Sequence, residues 1–202
     1  MSGALVWLLV GLGVAVVVVR RRSIAVALVT VQALILAGAA AQAADGSDIF
    51  AAVALAVRAV ALGALLLFVV SRTREPRPIR AGIPPLARGG IAISLALALS
   101  WLVPAIGLDS RNVERGVLAL VAFGAATVAL RRATLFQVLG IVLAENGLAL
   151  AALRLPNGSS LAIEFGVAFD LTLIALVAAV FHERIFTEFG AGDSAALRTL
   201  RD

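Results

Sequence analysis

Apolar stretches occupy residues 3–19, 24–44, 49–70, 90–107, 113–130, 133–153 and 160–181. Each is close to the ~20 residues a helix needs to cross a hydrocarbon core. Within that core every backbone N–H and C=O must be satisfied inside the chain, which leaves helices or closed barrels. Runs of this length fit helices, so the pattern predicts an all-α integral membrane protein of about seven transmembrane helices. Composition agrees: 62 % of residues are hydrophobic and 14 % charged, and mean hydropathy is +1.07. A soluble domain is nearer half apolar and a quarter charged. Pro84, Pro85, Gly89 and Gly90 interrupt the approach to the fourth run and make its start the hardest to place.

All 17 basic residues are arginine. Arg20, Arg21 and Arg22 follow the first run; Arg72, Arg74, Arg77, Arg80 and Arg88 the third; Arg131 and Arg132 the fifth; Arg184, Arg198 and Arg201 the seventh. On a seven-helix path these thirteen share one side, against Arg111, Arg115 and Arg154 on the other. The positive-inside rule then predicts a multi-pass protein of the inner or plasma membrane, with the N-terminus outside and the C-terminus cytoplasmic. The net charge of +5 is accounted for by topology, so a nucleic-acid partner is unnecessary and the expected environment is the lipid bilayer. With no cysteine, thiolate and iron–sulfur ligation have no ligands here, and His182 cannot form a metal site alone.

Two segments, 11–72 and 124–184, share an order: apolar helix, arginine cluster, helix, short polar loop, helix. Aligned on Arg72 and Arg184, Arg58 falls opposite Asp170; Gln32 lies ten residues after Arg22, and Val142 ten after Arg132. This suggests a parallel repeat of three-helix units plus a linker helix. Four segments follow: a three-helix unit over 1–72, a cytoplasmic linker and fourth helix over 73–112, a second three-helix unit over 113–189, and a cytoplasmic tail over 190–202. Similarity imposed by the bilayer alone is the competing account of the repeat.

Glu145, Glu164 and Asp170 lie inside the last two apolar runs. An ionised residue at a helix centre costs ~2.5 to 3.5 kcal/mol on insertion scales, so intramembrane carboxyls point to function or to pairing. Low dielectric disfavours the charged form of a carboxyl and lets it exchange protons at working pH. Glu145 is 13 residues beyond Arg132 and Asp170 is 14 before Arg184, so both lie ~20 Å from the cytoplasmic arginines. That matched depth makes them candidates for a proton relay, with Glu164 nearer the outer surface; the alternative is a hydrogen-bonded pair that only holds helices together. Arg58 is apolar on both sides and needs an anion, a carboxylate whose source, this chain or a neighbouring subunit, the sequence leaves open. Gln32, Gln137 and Asn146 are candidates to orient water or to bond across helices, and His182, beside Glu183 and Arg184, to pass protons inward or sit solvated at the interface. Gly140, Ala144, Gly147 and Ala151 form a small-residue stripe suited to close packing.

The order Arg131-Arg132, Gly140, Glu145-Asn146-Gly147, Glu164-Phe165-Gly166, Asp170 resembles the E-type membrane component of hydrogenase-4 and formate hydrogenlyase type complexes over residues 131 to 190. The same region resembles the small K-type subunit of respiratory complex I. That alignment puts Val142 at the first buried glutamate of the K-type subunit and Asp170 at the second; Glu145, one turn from Val142, restores a carboxyl near the same face. The resemblance implies a complex-I-like membrane arm that moves protons or sodium. Its implied partners are antiporter-like and quinone-site-like membrane subunits and a peripheral redox module, with any nickel–iron and iron–sulfur centres in those partners and no cofactor here. A small subunit of a multisubunit cation/proton antiporter and a structural membrane adaptor are the competing readings.

Overall fold

The computed structural model describes residues 3–43, 49–72, 83–105, 107–108 and 110–154. These residues form six helices: α1 (Gly3–Val18), α2 (Arg22–Ala43), α3 (Ile49–Arg72), α4 (Pro85–Leu102), α5 (Arg111–Leu130) and α6 (Thr134–Ala152). Helices α2 to α6 are long and apolar enough to cross a membrane, and α1 is a shorter apolar helix of 16 residues. The seventh expected run, 160–181, lies outside the described residues. The described chain is thus an all-helical membrane protein with five helices of spanning length.

The fourth helix corrects the sequence expectation at both ends. The apolar run suggests 90–107, yet the helix starts at Pro85 and ends at Leu102. Proline at the first helical position surrenders an N–H that has no intrahelical partner and supplies the right φ, so Pro84-Pro85 opens the helix instead of delaying it. Pro104 holds the residue before it in an extended conformation, and Val103 is accordingly the C-cap, with φ −83° and ψ 122°.

Helix α1 packs on α2, α4 and α5; α2 also meets α3 and α6; the closest association is the α5–α6 hairpin. α4 is peripheral, with Leu86, Leu97, Trp101 and Leu102 exposed on it. Beyond α4, Gly107 has a φ of +86°, which suits glycine. The buried Glu114 carboxylate then accepts from the backbone N–H groups of Gly107 and Leu108 at 2.9 and 3.3 Å. Arg111 lies 3.3 Å from the other oxygen of Glu114, and Ser110 caps α5 by accepting from the Val113 N–H. The loop is thereby tied to the first turn of α5.

In lipid the helices gain little from burying apolar surface against each other, so close contact through small residues has to supply the packing. A Cβ on Gly124 would lie 2.5 Å from the Gly140 carbonyl oxygen, and one on Gly140 would lie 2.7 Å from that of Gly124. Ala144 and Gly147 extend the same seam, Gly147 against Leu120 and Val117. This contact sets the depth and rotation of α6, and with them the position of Glu145. Gly140→Leu is expected to destabilise the protein by about 3 kcal/mol or more, because the clash is with backbone that cannot move aside. Gly11→Ala, with nothing within 4 Å of the added carbon, should leave the protein no less stable. Thermal unfolding of the two variants in one detergent would check both outcomes.

Candidate functional site

Polar groups from four helices meet at the centre of the bundle. Gln32 on α2 and Asn146 on α6 are 0 % exposed, and Arg58 on α3 and Glu145 on α6 are 7 % exposed, so neither solvent nor lipid headgroups can satisfy them. Counting from the arginine-rich end, Arg58 is 14 residues before Arg72 and Glu145 is 13 beyond Arg132. At ~1.5 Å rise per residue the two charges share a depth near 20 Å. α3 and α6 both pack on α2, and the long arginine side chain spans the remaining gap.

The guanidinium Nη1 of Arg58 donates to Oε1 of Glu145 in a buried ion pair. Its Nη2 faces Oδ1 of Asn146 at 3.4 Å. Asn146 Nδ2 donates to Gln32 Oε1 at 2.9 Å, and Gln32 Nε2 donates to the Leu9 carbonyl oxygen on α1 at 2.8 Å. The direction of this chain is forced at both ends. Arginine can only donate and a carbonyl can only accept, so both amides must present oxygen toward Arg58 and nitrogen toward Leu9. One continuous polar thread therefore ties α3, α6, α2 and α1 together.

The thread is not saturated. Glu145 Oε2 and Arg58 Nε are buried and take no partner. A buried polar atom left in this state is costly, and such exceptions concentrate where a water, an ion or a proton is used. Glu145 therefore holds one oxygen against the Arg58 guanidinium, while its second oxygen is buried without a hydrogen-bond partner among the described residues.

Arg58 faces protein and pairs with a carboxylate, and the source left open by the sequence is within the chain: Glu145. Burial makes an in-chain partner at equal depth the available solution, since an unpaired guanidinium in hydrocarbon is heavily penalised. Gln32 and Asn146 join Arg58 and Glu145, whereas Gln137, half-buried and more than two turns earlier on α6, takes no part in the thread. Val142 is buried one turn from Glu145. Glu164, Asp170 and His182 lie outside the described residues. Sequence reasoning missed the Leu9 carbonyl, which carries no side-chain signal. It also missed the buried Arg88, which reads in the sequence as only one of the arginines at that end of the bundle. Among the described residues no three His, Cys, Asp or Glu side chains gather as a metal-ligand set.

No protein-family model matches the chain, and no solved structure matches it. Over 126 residues it is 29 % identical to the uncharacterized protein Rv0085 of Mycobacterium tuberculosis (strain ATCC 25618 / H37Rv). The match covers 58 % of this chain and 57 % of that protein, so the similarity spans little more than half of either.

The pair's contribution is accessible to a double-mutant cycle. Arg58→Gln or Glu145→Gln alone should destabilise the protein by roughly 3–5 kcal/mol, since each leaves a buried charge or its site uncompensated. The double variant should cost clearly less than the sum of the singles. Unfolding midpoints of the four proteins in detergent would measure the coupling, and additive losses would mean that the two side chains do not meet.

Proposed function

We propose that this chain is a membrane-arm subunit of a complex-I-like hydrogenase or formate hydrogenlyase type assembly. In that role it moves protons or sodium while partner subunits carry out the redox chemistry. The observation that carries this reading is the intramembrane Arg58–Glu145 pair with Glu145 Oε2 left open beside the Asn146–Gln32 thread. The order of motifs from Arg131 to Asp170 supports it independently. Seven spans, an external N-terminus and the repeated three-helix unit belong to the same proposal.

The arrangement suits a gated carboxyl better than an open channel. While Arg58 holds Glu145, the guanidinium is bonded to one carboxylate oxygen and attracts its negative charge. Any rearrangement that draws the guanidinium off Glu145, toward the neutral Asn146 amide or toward an anion elsewhere, relieves that attraction, and a carboxyl in low dielectric then takes up a proton. Return of the cation favours release. A two-position cation of this kind couples conformational change elsewhere in an assembly to protonation here, without a redox group in the chain. On this proposal Asp170 on the seventh span is the next carrier, as the motif order implies.

The adaptor reading rests on a specific observation too: Asn146 and Gln32 have partners on both sides of the amide, as structural glue would. The two readings separate on function. In native membranes, Glu145→Gln in an assembled complex should reduce redox-linked ion translocation by about a hundredfold or more, the range a positioned proton-transfer group contributes. Assembly at wild-type level with full pumping in that variant would leave the adaptor reading standing. For orientation, a thiol replacing Ser71 should react with an impermeant reagent only from the cytoplasm, and one replacing Asn112 only from outside; reversed labelling would refute the topology.

A further inference from the structure

Arg88, in the first turn of α4, is 1 % exposed, and its three side-chain nitrogens have no hydrogen-bond partner. It is not adrift in lipid. A Cβ on the adjacent Gly89 would lie 3.1 Å from Val18 Cγ2, so the start of α4 is pressed against the end of α1. Arg131 reaches the same place from the end of α5: its Nη2 donates to the Val19 carbonyl oxygen, its guanidinium carbon lies 3.6 Å from the Phe136 ring centroid, and its Nε is buried without a partner. Burial, and after it the Arg88 charge, lowers the Arg131 pKa from the ordinary arginine value. Arg20, exposed, lies within electrostatic range of Arg88. Two buried cations have thus been brought together with four donor nitrogens unspent.

No acid among the described residues is near enough to compensate them. Those acids are Glu114 and Glu145; Glu114 is 17 residues before Arg131 along α5 and Glu145 is 13 beyond Arg132 along α6, separations of about 25 and 20 Å at the helical rise. The α1 end contributes a carbonyl, which one arginine already occupies. Among the described residues nothing supplies the anion; a group that fits has several acceptor oxygens and lies where the helices emerge from the hydrocarbon core. A phosphate has that chemistry, and a guanidinium fork matches it with paired hydrogen bonds. Headgroup phosphates lie at this depth, and arginine-lined pockets between helices on the cytoplasmic side are suited to anionic lipids.

We propose that Arg88 and Arg131, with Arg20 at the rim, form a phosphate-binding site at the arginine-rich end of α1, α4 and α5, occupied by an anionic phospholipid headgroup. At the helical rise the site is about 20 Å from the Arg58–Glu145 pair, and it does not depend on the ion-translocation reading.

The test uses the full chain in detergent micelles with phosphatidylglycerol, phosphatidylcholine or inorganic phosphate added, read by native mass spectrometry for adducts and by thermal unfolding. Phosphatidylglycerol should bind and raise the midpoint, and phosphatidylcholine should not. Arg88→Gln and Arg131→Gln should each weaken phosphatidylglycerol binding about tenfold, the equivalent of one charge-assisted hydrogen bond. Arg132→Gln, an exposed neighbour with the same change in net charge, should stay within about twofold. Arg88→Lys, which keeps the charge but loses the fork, should still weaken binding and serves if Arg88→Gln does not fold. Inorganic phosphate binding with equal loss in Arg88→Lys, while phosphatidylglycerol fails to bind, would overturn the lipid as occupant. Equal phosphatidylglycerol binding by wild type, Arg88→Lys and Arg131→Gln would overturn the site altogether.

Discussion

A guanidinium in the middle of a bilayer is tolerable only beside an anion, and that constraint organises the bundle. Arg58 cannot shed its proton, and it is buried 9 residues from one end of α3 and 14 from the other. The chain meets the requirement by placing Glu145 at the same depth on α6 and facing Nη2 with Asn146, which Gln32 in turn links to the Leu9 carbonyl. Because the pair is intolerant of displacement along the membrane normal, it fixes the relative heights of α3 and α6. The Gly124–Gly140 contact fixes α6 against α5. Chemistry and packing thus converge on one helix.

Much of this is legible in the sequence because lipid removes alternatives. Apolar runs of spanning length fold as helices, and arginine clusters mark the ends that stay in contact with water. The polar residues Gln32, Arg58, Glu145 and Asn146 do assemble, since any polar group within a span must find another. The partner choice is not legible. Arg58, Glu145 and Asp170 lie at matched depths, and depth alone gives no rotation, so two carboxyls are equally placed in the sequence for one cation. Helix-end signals also mislead where proline reads as an interruption: Pro85 begins α4, and Gly107 and Leu108 lie beyond its end, held by Glu114.

The bundle has a polar asymmetry that follows from the same economy. At the arginine-rich end Arg88 and Arg131 press against the end of α1 with donors unspent, whereas at the opposite end the buried carboxylate of Glu114 gathers backbone N–H groups. Between them stands a neutral pair. Charge is therefore compensated locally at two depths and left for an outside anion at the third, which is where membrane headgroups can supply one.

The ionisation state of Glu145 in the folded protein tests the central interaction most directly. Isotope-edited infrared difference spectra between the wild type and Glu145→Gln would isolate this carboxyl in lipid. With the ion pair in place an ionised carboxylate band is expected at neutral pH, replaced by the band of a protonated carboxylic acid once Arg58→Gln removes the cation. A protonated carboxyl in the wild type, unchanged by Arg58→Gln, would contradict the ion pair and the gating built on it.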